Sequence, residues 1–448
     1  MTIIYAIIFC LIIIIEYRRI KSKKWDYFTV FTILYLLKYV LPGIYDLRYI
    51  SYIDIEQQFH LNLTDNLIVF ILISFSYVLF RTIYIFFDKR NMHKVAYSSI
   101  SHIINIKRIL LFSALGLASF YIYFLQFGDT GNTAFEIYLA RAGANPYRGQ
   151  FVFLKHFIPL LTISCVLSYS YYLFLVKDGL RYKSKYVIII TTLIFFLIIF
   201  LYIYLGGRSH YLKLIFSLLL VYITVRNKIA WWHILILCAS VTFLLFFDSF
   251  YMYFLGIKSN YIIKPVSSNL IDNFVRAFGH SYISLKAVTH LYLEDVINYR
   301  YFIDYILAIL YLIPDKIFSF SVPSTVSYIN TYHLLGVYSS TVPPGLIASG
   351  IYFGGLPGLT INIFISAAFL SWLNNKMALH GYSKISEASA YNVGIYSVSG
   401  IYFCMGLMNG DPRVFLFDIL PICFFIVAVF ILDKINICVQ KSSHNNLS

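Results

Sequence analysis

The sequence predicts an all-α integral membrane protein with about eleven transmembrane helices and one large external loop that contains short helices. Of its 448 residues, 60% are hydrophobic and only 12% are charged, whereas a soluble domain carries about 25% charged residues. Apolar runs of roughly 15 to 25 residues recur along nearly the whole chain. A bundle of helices satisfies its own backbone hydrogen bonds and is the stable way to place such runs in a bilayer.

The apolar runs define the spans in chain order, and each is long enough, or nearly so, to cross about 30 Å of hydrocarbon. The predicted spans are 1–16, 27–44, 66–87, 109–127, 151–176, 186–205, 210–225, 231–256, 344–373, 391–408 and 414–432. The first and the seventh are the shortest. The chain is thus predicted to hold eight spans within 1–256, a large loop at 257–343, and three spans with a short tail within 344–448.

Basic residues alternate between the connections, which indicates how the spans are oriented. The more basic set holds 20 Lys and Arg residues, against 11 in the other connections, and comprises 17–24, 88–108, 177–185, 226–230, 374–390 and the tail 433–448. Because cytoplasmic loops carry the excess of basic residues, the pattern predicts an external N-terminus and a cytoplasmic C-terminus. The net charge of +15 is then a consequence of topology, and no nucleic-acid partner is expected.

The connection 257–343 is far longer than two neighbouring helices need, and long loops of this kind tend to carry function. Within it, Tyr301 to Ile313 is apolar except for Asp304 and ends at Pro314. This stretch is too short to span a bilayer, so we expect an interfacial or re-entrant helix.

The long loop leads into the ninth predicted span through Thr341-Val342-Pro343-Pro344-Gly345. Thr and Pro residues are typical of a helix start. Gly350, Gly354 and Gly358 follow at a spacing of four, which predicts a helix face against which another helix packs closely.

The turn between the sixth and seventh predicted spans reads Gly206-Gly207-Arg208-Ser209-His210. The two glycines allow positive φ angles and close approach of the backbone, and Ser209 is a good N-cap for the next helix. With Arg208 beside the exposed N–H groups and Lys213 one turn further along, the turn predicts an anion site. The alternative is a tight hairpin in which Arg208 reaches the lipid headgroups.

Two arginines lie in the loop before the fifth predicted span. Arg141 and Arg148 belong to the Gly- and Pro-containing segment 140–149. The planar guanidinium group donates two parallel hydrogen bonds to phosphate oxygens, so this segment is a candidate phosphate-binding loop. The alternative is a flexible loop with two solvated charges.

The long loop also contains a basic and a titratable side chain at a spacing of four. Arg276 and His280 would share one face of a helix. Because a neutral imidazole accepts a proton near pH 7, His280 is a candidate general base, with Arg276 beside it. The alternative is a structural histidine, and the competing titratable residues of the loop are His290, Glu294, Asp295 and His333.

The sequence gives no reason to expect a metal or a cofactor. No His or Cys cluster has the spacing of metal ligands, and the Asp54-Ile55-Glu56 string is read as two solvated acids in a short loop. Acidic residues within the predicted spans are scarce, Asp248 and Asp418 being the two considered. A proton-coupled pump would normally carry more of them.

Together these features resemble the Wzy-type O-antigen and oligosaccharide repeat-unit polymerases, over most of the chain. The shared pattern comprises many spans, the Gly-Gly-Arg-Ser turn at 206–209, an upstream loop with arginines, and a long external loop late in the sequence. The run from Leu312-Ile313-Pro314 through 341–345 to Tyr352-Phe353-Gly354 is similar to the signature that precedes the last spans of that family. Many members have an acidic residue near Ser349-Gly350, which this sequence lacks.

The resemblance implies an inverting, metal-independent glycosyltransferase at the periplasmic face of the bacterial inner membrane. Its substrates would be undecaprenyl-diphosphate-linked oligosaccharides, and a flippase and a chain-length regulator would be its partners. In that reading His280 and Arg276 are catalytic, while the diphosphate is bound by Arg141, Arg148, Arg208 and Lys213.

Two other functions remain open. A lipid-linked oligosaccharide flippase or another transporter would normally have short loops and internal repeats, whereas this sequence has one long loop and no repeat. An O-antigen ligase or a related membrane glycosyltransferase would also have a large external loop with Arg and His.

Overall fold

A computed structural model describes residues 1–21, 25–50, 53–91, 106–126, 152–205, 208–227, 278–313, 322–337, 341–382 and 387–445, with a few isolated positions between 235 and 275. Over these residues the protein is a bundle of helices, which confirms the predicted all-α membrane fold. The strands in the described part, Tyr49–Ile50 and Ile53–Asp54, form one short antiparallel pair.

Within the described residues, eight helical segments are long and apolar enough to cross a membrane. They are Tyr27–Ile44, Leu63–Asp88, Ile106–Leu125, Phe153–Lys177, Tyr182–Leu205, Ser209–Arg226, Gly345–Leu379 and Pro412–Lys434. Several of them expose large apolar side chains, such as Leu193 at 66% and Val427 at 56%, which suits a surface that faces lipid. The chain is therefore a multi-pass membrane protein.

The helices are numbered here in chain order. They are α1 Thr2–Lys21, α2 Tyr27–Ile44, α3 Ile55–Gln58, α4 Leu63–Asn91, α5 Ile106–Leu125, α6 Leu160–Lys177, α7 Arg181–Leu205, α8 Arg208–Arg226, α9 His280–Leu293, α10 Ile303–Leu310, α11 Val326–Leu335, α12 Gly345–Tyr382, α13 Glu387–Asn409 and α14 Pro412–Asn445. A short 3₁₀ turn, Val152–Phe157, precedes α6. Because α8 already begins at Arg208, the predicted N-cap Ser209 is instead the second residue of that helix.

Two predicted spans correspond to helices outside the set of eight. The predicted span 1–16 is part of α1, which contains Glu16, Arg18 and Arg19. The predicted span 391–408 is part of α13, in which every residue from Ser389 to Asn409 is buried or half-buried. Since α13 presents no exposed side chain to lipid, it tolerates Ser, Asn and Gly. The predicted span 231–256 lies largely outside the described residues, so the total of eleven stays a prediction.

The connections group at two ends of the bundle. At one end, Asn374 of α12 donates to Asp88 of α4 at 3.4 Å, and Arg108 of α5 is paired with Asp433 of α14. These residues lie in or beside connections of the more basic set. The opposite end, where α9, α10 and α11 lie, is called the loop end here. Which end faces the cytoplasm stays a prediction.

The helix α12 is broken into two limbs. Gly354 (φ 155°) and Gly355 (φ 64°) have non-helical backbone angles, which only glycine adopts readily. The Asn362 amide donates to the Leu346 carbonyl at 3.3 Å, although these residues would be about 24 Å apart in a straight helix. The short limb 345–353 therefore folds back against the long limb 356–382. The predicted single span 344–373 and its continuous glycine face are corrected accordingly.

The helices of the long loop cover the short limb of α12. Asn330 of α11 donates to Ser284 of α9 at 2.9 Å and to the carbonyl of Val342 at 2.9 Å. The helix expected within 301–313 is α10, which packs on α14 and exposes Ile306 and Ile309 at 63% and 58%. This apolar exposed face suits the expected interfacial position.

Candidate functional site

A π-helical turn, Leu36–Val40, interrupts α2 and carries Lys38. Such turns are frequently found at functional sites. The Lys38 Nζ donates to the Met408 carbonyl at 2.8 Å and to Asn409 Oδ1 at 2.9 Å. Both acceptors are neutral, and in the described part of the chain no carboxylate pairs with this lysine. A lysine within a span costs roughly 2.5–3.5 kcal/mol, so an uncompensated one is a candidate functional group.

The first residue of the broken helix packs tightly beside the same turn. A Cβ atom added at Gly345 would lie 2.5 Å from the Tyr39 hydroxyl and 2.6 Å from Ser281 Cβ, and one added at Gly410 would overlap the backbone of Gly345. The Tyr39 hydroxyl accepts a hydrogen bond from the Ile347 N–H at 3.3 Å. Four elements (α2, α9, α12 and the turn after α13) therefore meet at one point.

His280, the predicted general base, is the first residue of α9 and is half-buried. It follows Gly279, whose added Cβ would overlap the Leu47 side chain, and it precedes Ser281, which contacts Gly345. The imidazole is therefore attached to the backbone next to the start of the short limb. Gly345 thus lies between Ser281, the neighbour of His280, and Tyr39, the neighbour of Lys38, a contact that the sequence did not predict.

Lys213, a predicted diphosphate ligand, is buried within α8. Its Nζ lies 2.7 Å from Asp418 Oδ2 of α14, with side-chain exposures of 2% and 16%. The ammonium also lies 4.6 Å from the centre of the Tyr402 ring. Its charge is thus compensated within the protein, by a carboxylate that the sequence had left without a partner.

A basic residue of α14, Arg413, lies at the loop end. Its guanidinium donates to the Tyr328 hydroxyl at 2.9 Å and lies 5.3 Å from the Tyr311 ring centre. Asp411 precedes it, is fully buried, and accepts a hydrogen bond from the Arg413 N–H at 2.8 Å. Arg413, held by Asp411, therefore connects the start of α14 to the helices of the long loop.

A histidine of the long loop lies on the outer part of the short limb. His333 of α11 and the Tyr352 hydroxyl are 2.9 Å apart. Partial burial lowers the pKa of His333 below its ordinary value of 6.5, so the ring is neutral at pH 7. A neutral ring accepts or donates one hydrogen bond at each nitrogen, which fits its place against a hydroxyl.

Of the six predicted site residues, the structure places only His280 and Lys213 with their side chains. Arg141, Arg148 and Arg276 lie outside the described residues, and the side chain of Arg208, at the start of α8, does as well. Whether the four arginines meet in one cavity stays a prediction.

Sequence reasoning missed Lys38, Tyr39 and the turn at Asn409. A usable signal existed for Lys38, because a charged residue inside an apolar run is a functional candidate by itself. No signal in the sequence predicted that the turn at Gly410 would meet Gly345, since that contact depends on the reversal of α12.

No family model matches the chain, and neither a curated protein nor a solved structure shows significant similarity to it. The function is therefore argued from the residues and geometry of this chain.

Proposed function

We propose that the chain is a Wzy-type polymerase of undecaprenyl-diphosphate-linked oligosaccharide repeat units, acting at the periplasmic face of the bacterial inner membrane. The growing glycan would be transferred from its lipid carrier to a new lipid-linked repeat unit, without a metal or cofactor. A flippase and a chain-length regulator are the expected partners.

The observation that supports this proposal best is the cover of helices over the short limb of α12. In α9, Ser281 next to His280 contacts Gly345, and Gly345 also packs against Tyr39, which follows a lysine that no described carboxylate balances. A transferase for lipid-linked sugars needs a site at one end of the bundle that holds an anionic leaving group and a proton acceptor. His280 could serve as the proton acceptor of such a site, and Lys38 could bind the anionic leaving group.

The chemistry assigns a separate task to each kind of residue. The acceptor hydroxyl loses its proton to the His280 imidazole as its oxygen attacks the anomeric carbon of the donor sugar. The bond between that carbon and the phosphate oxygen breaks, and the diphosphate leaves with the electron pair. Nearby cations stabilise the charge that develops on the leaving group. Attack opposite the leaving group inverts the anomeric configuration.

Elongation by purified protein tests the proposal. The full chain in detergent, given lipid-diphosphate-linked repeat units and EDTA, should produce a ladder of longer glycans without nucleotide sugar or ATP. His280→Ala should slow turnover by about 10²-fold or more while substrate binding persists. His290→Ala, near the other end of α9, is the matched control and should change turnover by only a few-fold.

The outcomes separate two conclusions. Equal turnover in His280→Ala would show that another group is the base and would leave the polymerase proposal standing. Folded protein that elongates no repeat unit of the correct structure would contradict the polymerase proposal itself.

A transporter of lipid-linked oligosaccharides is the second candidate. The broken helix α12 and the buried ion pair between Lys213 and Asp418 favour it, because broken helices and buried charges recur at the binding sites of transporters. A transporter would change the sidedness of a fluorescent lipid-linked oligosaccharide in vesicles without lengthening it, whereas an O-antigen ligase would move glycan to a lipid A core acceptor.

A further inference from the structure

We propose that Lys38 binds a phosphate group of the polyprenyl-diphosphate substrate, at the turn between α13 and α14. The identity of the lipid rests on the proposed function, whereas the presence of an anion site rests on the geometry around Lys38. Lys38 is not among the residues that the sequence predicted for diphosphate binding.

The hydrogen bonds of Lys38 leave one donor for a ligand. An ammonium group has three N–H donors, and those of Lys38 have two acceptors among the described residues, the Met408 carbonyl and Asn409 Oδ1. The residue lies six positions before Ile44, about 9 Å inside the end of α2. Its side chain is half-buried at that depth.

Two helix ends of opposite partial charge meet beside Lys38, the C-terminus of α13 and the N-terminus of the short limb of α12. Asn409 is followed by Gly410, which packs on Gly345 at the N-terminus of the short limb, and a helix N-terminus carries about half a positive charge. The nearest acid along the chain, Asp411, is bonded to the Arg413 N–H and lies 3.9 Å from its guanidinium. The partial charges of the two helix ends offset each other, so the Lys38 ammonium is the positive group that an anion would meet.

A purely structural role for Lys38 is capping of α13. The Met408 carbonyl belongs to the last turn of that helix, and lysines do cap the last carbonyls of helices. Capping alone, however, provides the Lys38 ammonium with two neutral oxygens and the partial negative charge of the α13 C-terminus, but with no carboxylate among the described residues. The π-helical turn does not separate the two roles, because Pro42, four residues after Lys38, cannot donate a helical hydrogen bond and disrupts the helix there.

The two roles predict opposite effects of Lys38→Met, which keeps the length of the side chain and removes its charge. If Lys38 serves a ligand, the variant should unfold at the same temperature as the wild type or higher, because an unbalanced charge has been removed from the membrane interior. Its affinity for undecaprenyl diphosphate should fall by about 10- to 100-fold, the loss of one charge-assisted contact. If Lys38 is only a cap, the thermal midpoint should fall and the affinity should persist.

Binding is measured on the full chain in nanodiscs, by titration with undecaprenyl diphosphate, undecaprenyl monophosphate, inorganic diphosphate or phosphatidylglycerol as separate probes. Lys286→Met is the matched control. Lys286, at the loop end, is fully buried and is paired with Glu56 at 2.8 Å, so its loss should lower stability and spare binding. Lys38→Arg keeps the charge and should retain part of the affinity.

Each result bears on the site in a distinct way. Binding of phosphatidylglycerol alone would replace the proposed ligand by an ordinary lipid headgroup, and equal affinity of Lys38→Met and wild type would overturn the proposal. Wild-type protein that binds undecaprenyl diphosphate through Lys38 but elongates nothing would retain this site and reject the polymerase. Normal elongation and binding in Lys38→Met would reject this site and retain the polymerase proposal.

Discussion

The ion pair between Lys213 and Asp418 should be a major contributor to stability within the bundle. Substitution Asp418→Asn would leave the Lys213 ammonium, 2% exposed, without a carboxylate. Removing one member of a buried pair costs about 3–5 kcal/mol, and the remaining contact with the Tyr402 ring offsets roughly 1 kcal/mol of this. We therefore expect a loss of about 2–4 kcal/mol and a fall in thermal midpoint of roughly 5 °C.

Thermal unfolding in a mild detergent measures this loss. The double variant Lys213→Met with Asp418→Asn removes the buried charge as well and should recover most of the stability, because an apolar replacement of a buried pair is often neutral. Arg48→Gln is the control for a surface pair. Arg48 lies 2.6 Å from Asp46, with side-chain exposures of 49% and 38%, so its loss should stay within about 1 kcal/mol.

An unchanged midpoint in Asp418→Asn would refute the reasoning. It would mean that Lys213 is not balanced by Asp418 in the protein in solution. The predicted role of Lys213 as a diphosphate ligand would then gain weight, because its charge would be available to a substrate.

Two further predictions concern the short limb of α12. Because folding lowers the pKa of His333 below 6.5, the unfolded chain binds a proton that the folded chain does not. The thermal midpoint should therefore fall as the pH drops below about 6.5. His333→Gln should reduce this dependence, and an unchanged pH profile in the variant would contradict the assignment. Gly345→Ala should lower the free energy of unfolding by about 1–3 kcal/mol more than Gly336→Ala does, as measured by thermal unfolding. Both glycines have positive φ angles, but an added Cβ has open space only at Gly336. Equal losses in the two variants would show that the tight contact at Gly345 is absent.

The sequence was sufficient for the membrane fold because long apolar runs have few alternatives in a bilayer. It was least informative where the chain departs from a simple span. The glycines at 350, 354 and 358 have the spacing of a packing face, yet Gly354 and its neighbour Gly355 instead reverse the chain. Both readings rest on the same property of glycine, the lack of a Cβ atom, and only tertiary contacts such as Asn362 with Leu346 distinguish them.

The candidate site was predictable only in part, for a related reason. A histidine in a long loop is visible in the sequence, and so His280 could be proposed as a base before its position was known. The partner of a buried charge is not visible, because Lys213 and Asp418 lie on helices that are distant in the sequence. Compensation of a charge is a property of packing, and periodicity does not report it.

Charge compensation also distinguishes Lys213 from Lys38 among the described residues. Lys213 has a carboxylate at 2.7 Å, so binding of a further anion there would first have to disrupt an existing pair. Lys38 has only neutral acceptors in the described part of the chain, so an anion at this position would relieve the cost of a buried charge instead of adding to it. Lys38, rather than Lys213, is therefore the lysine at which we expect the proposed phosphate group to bind.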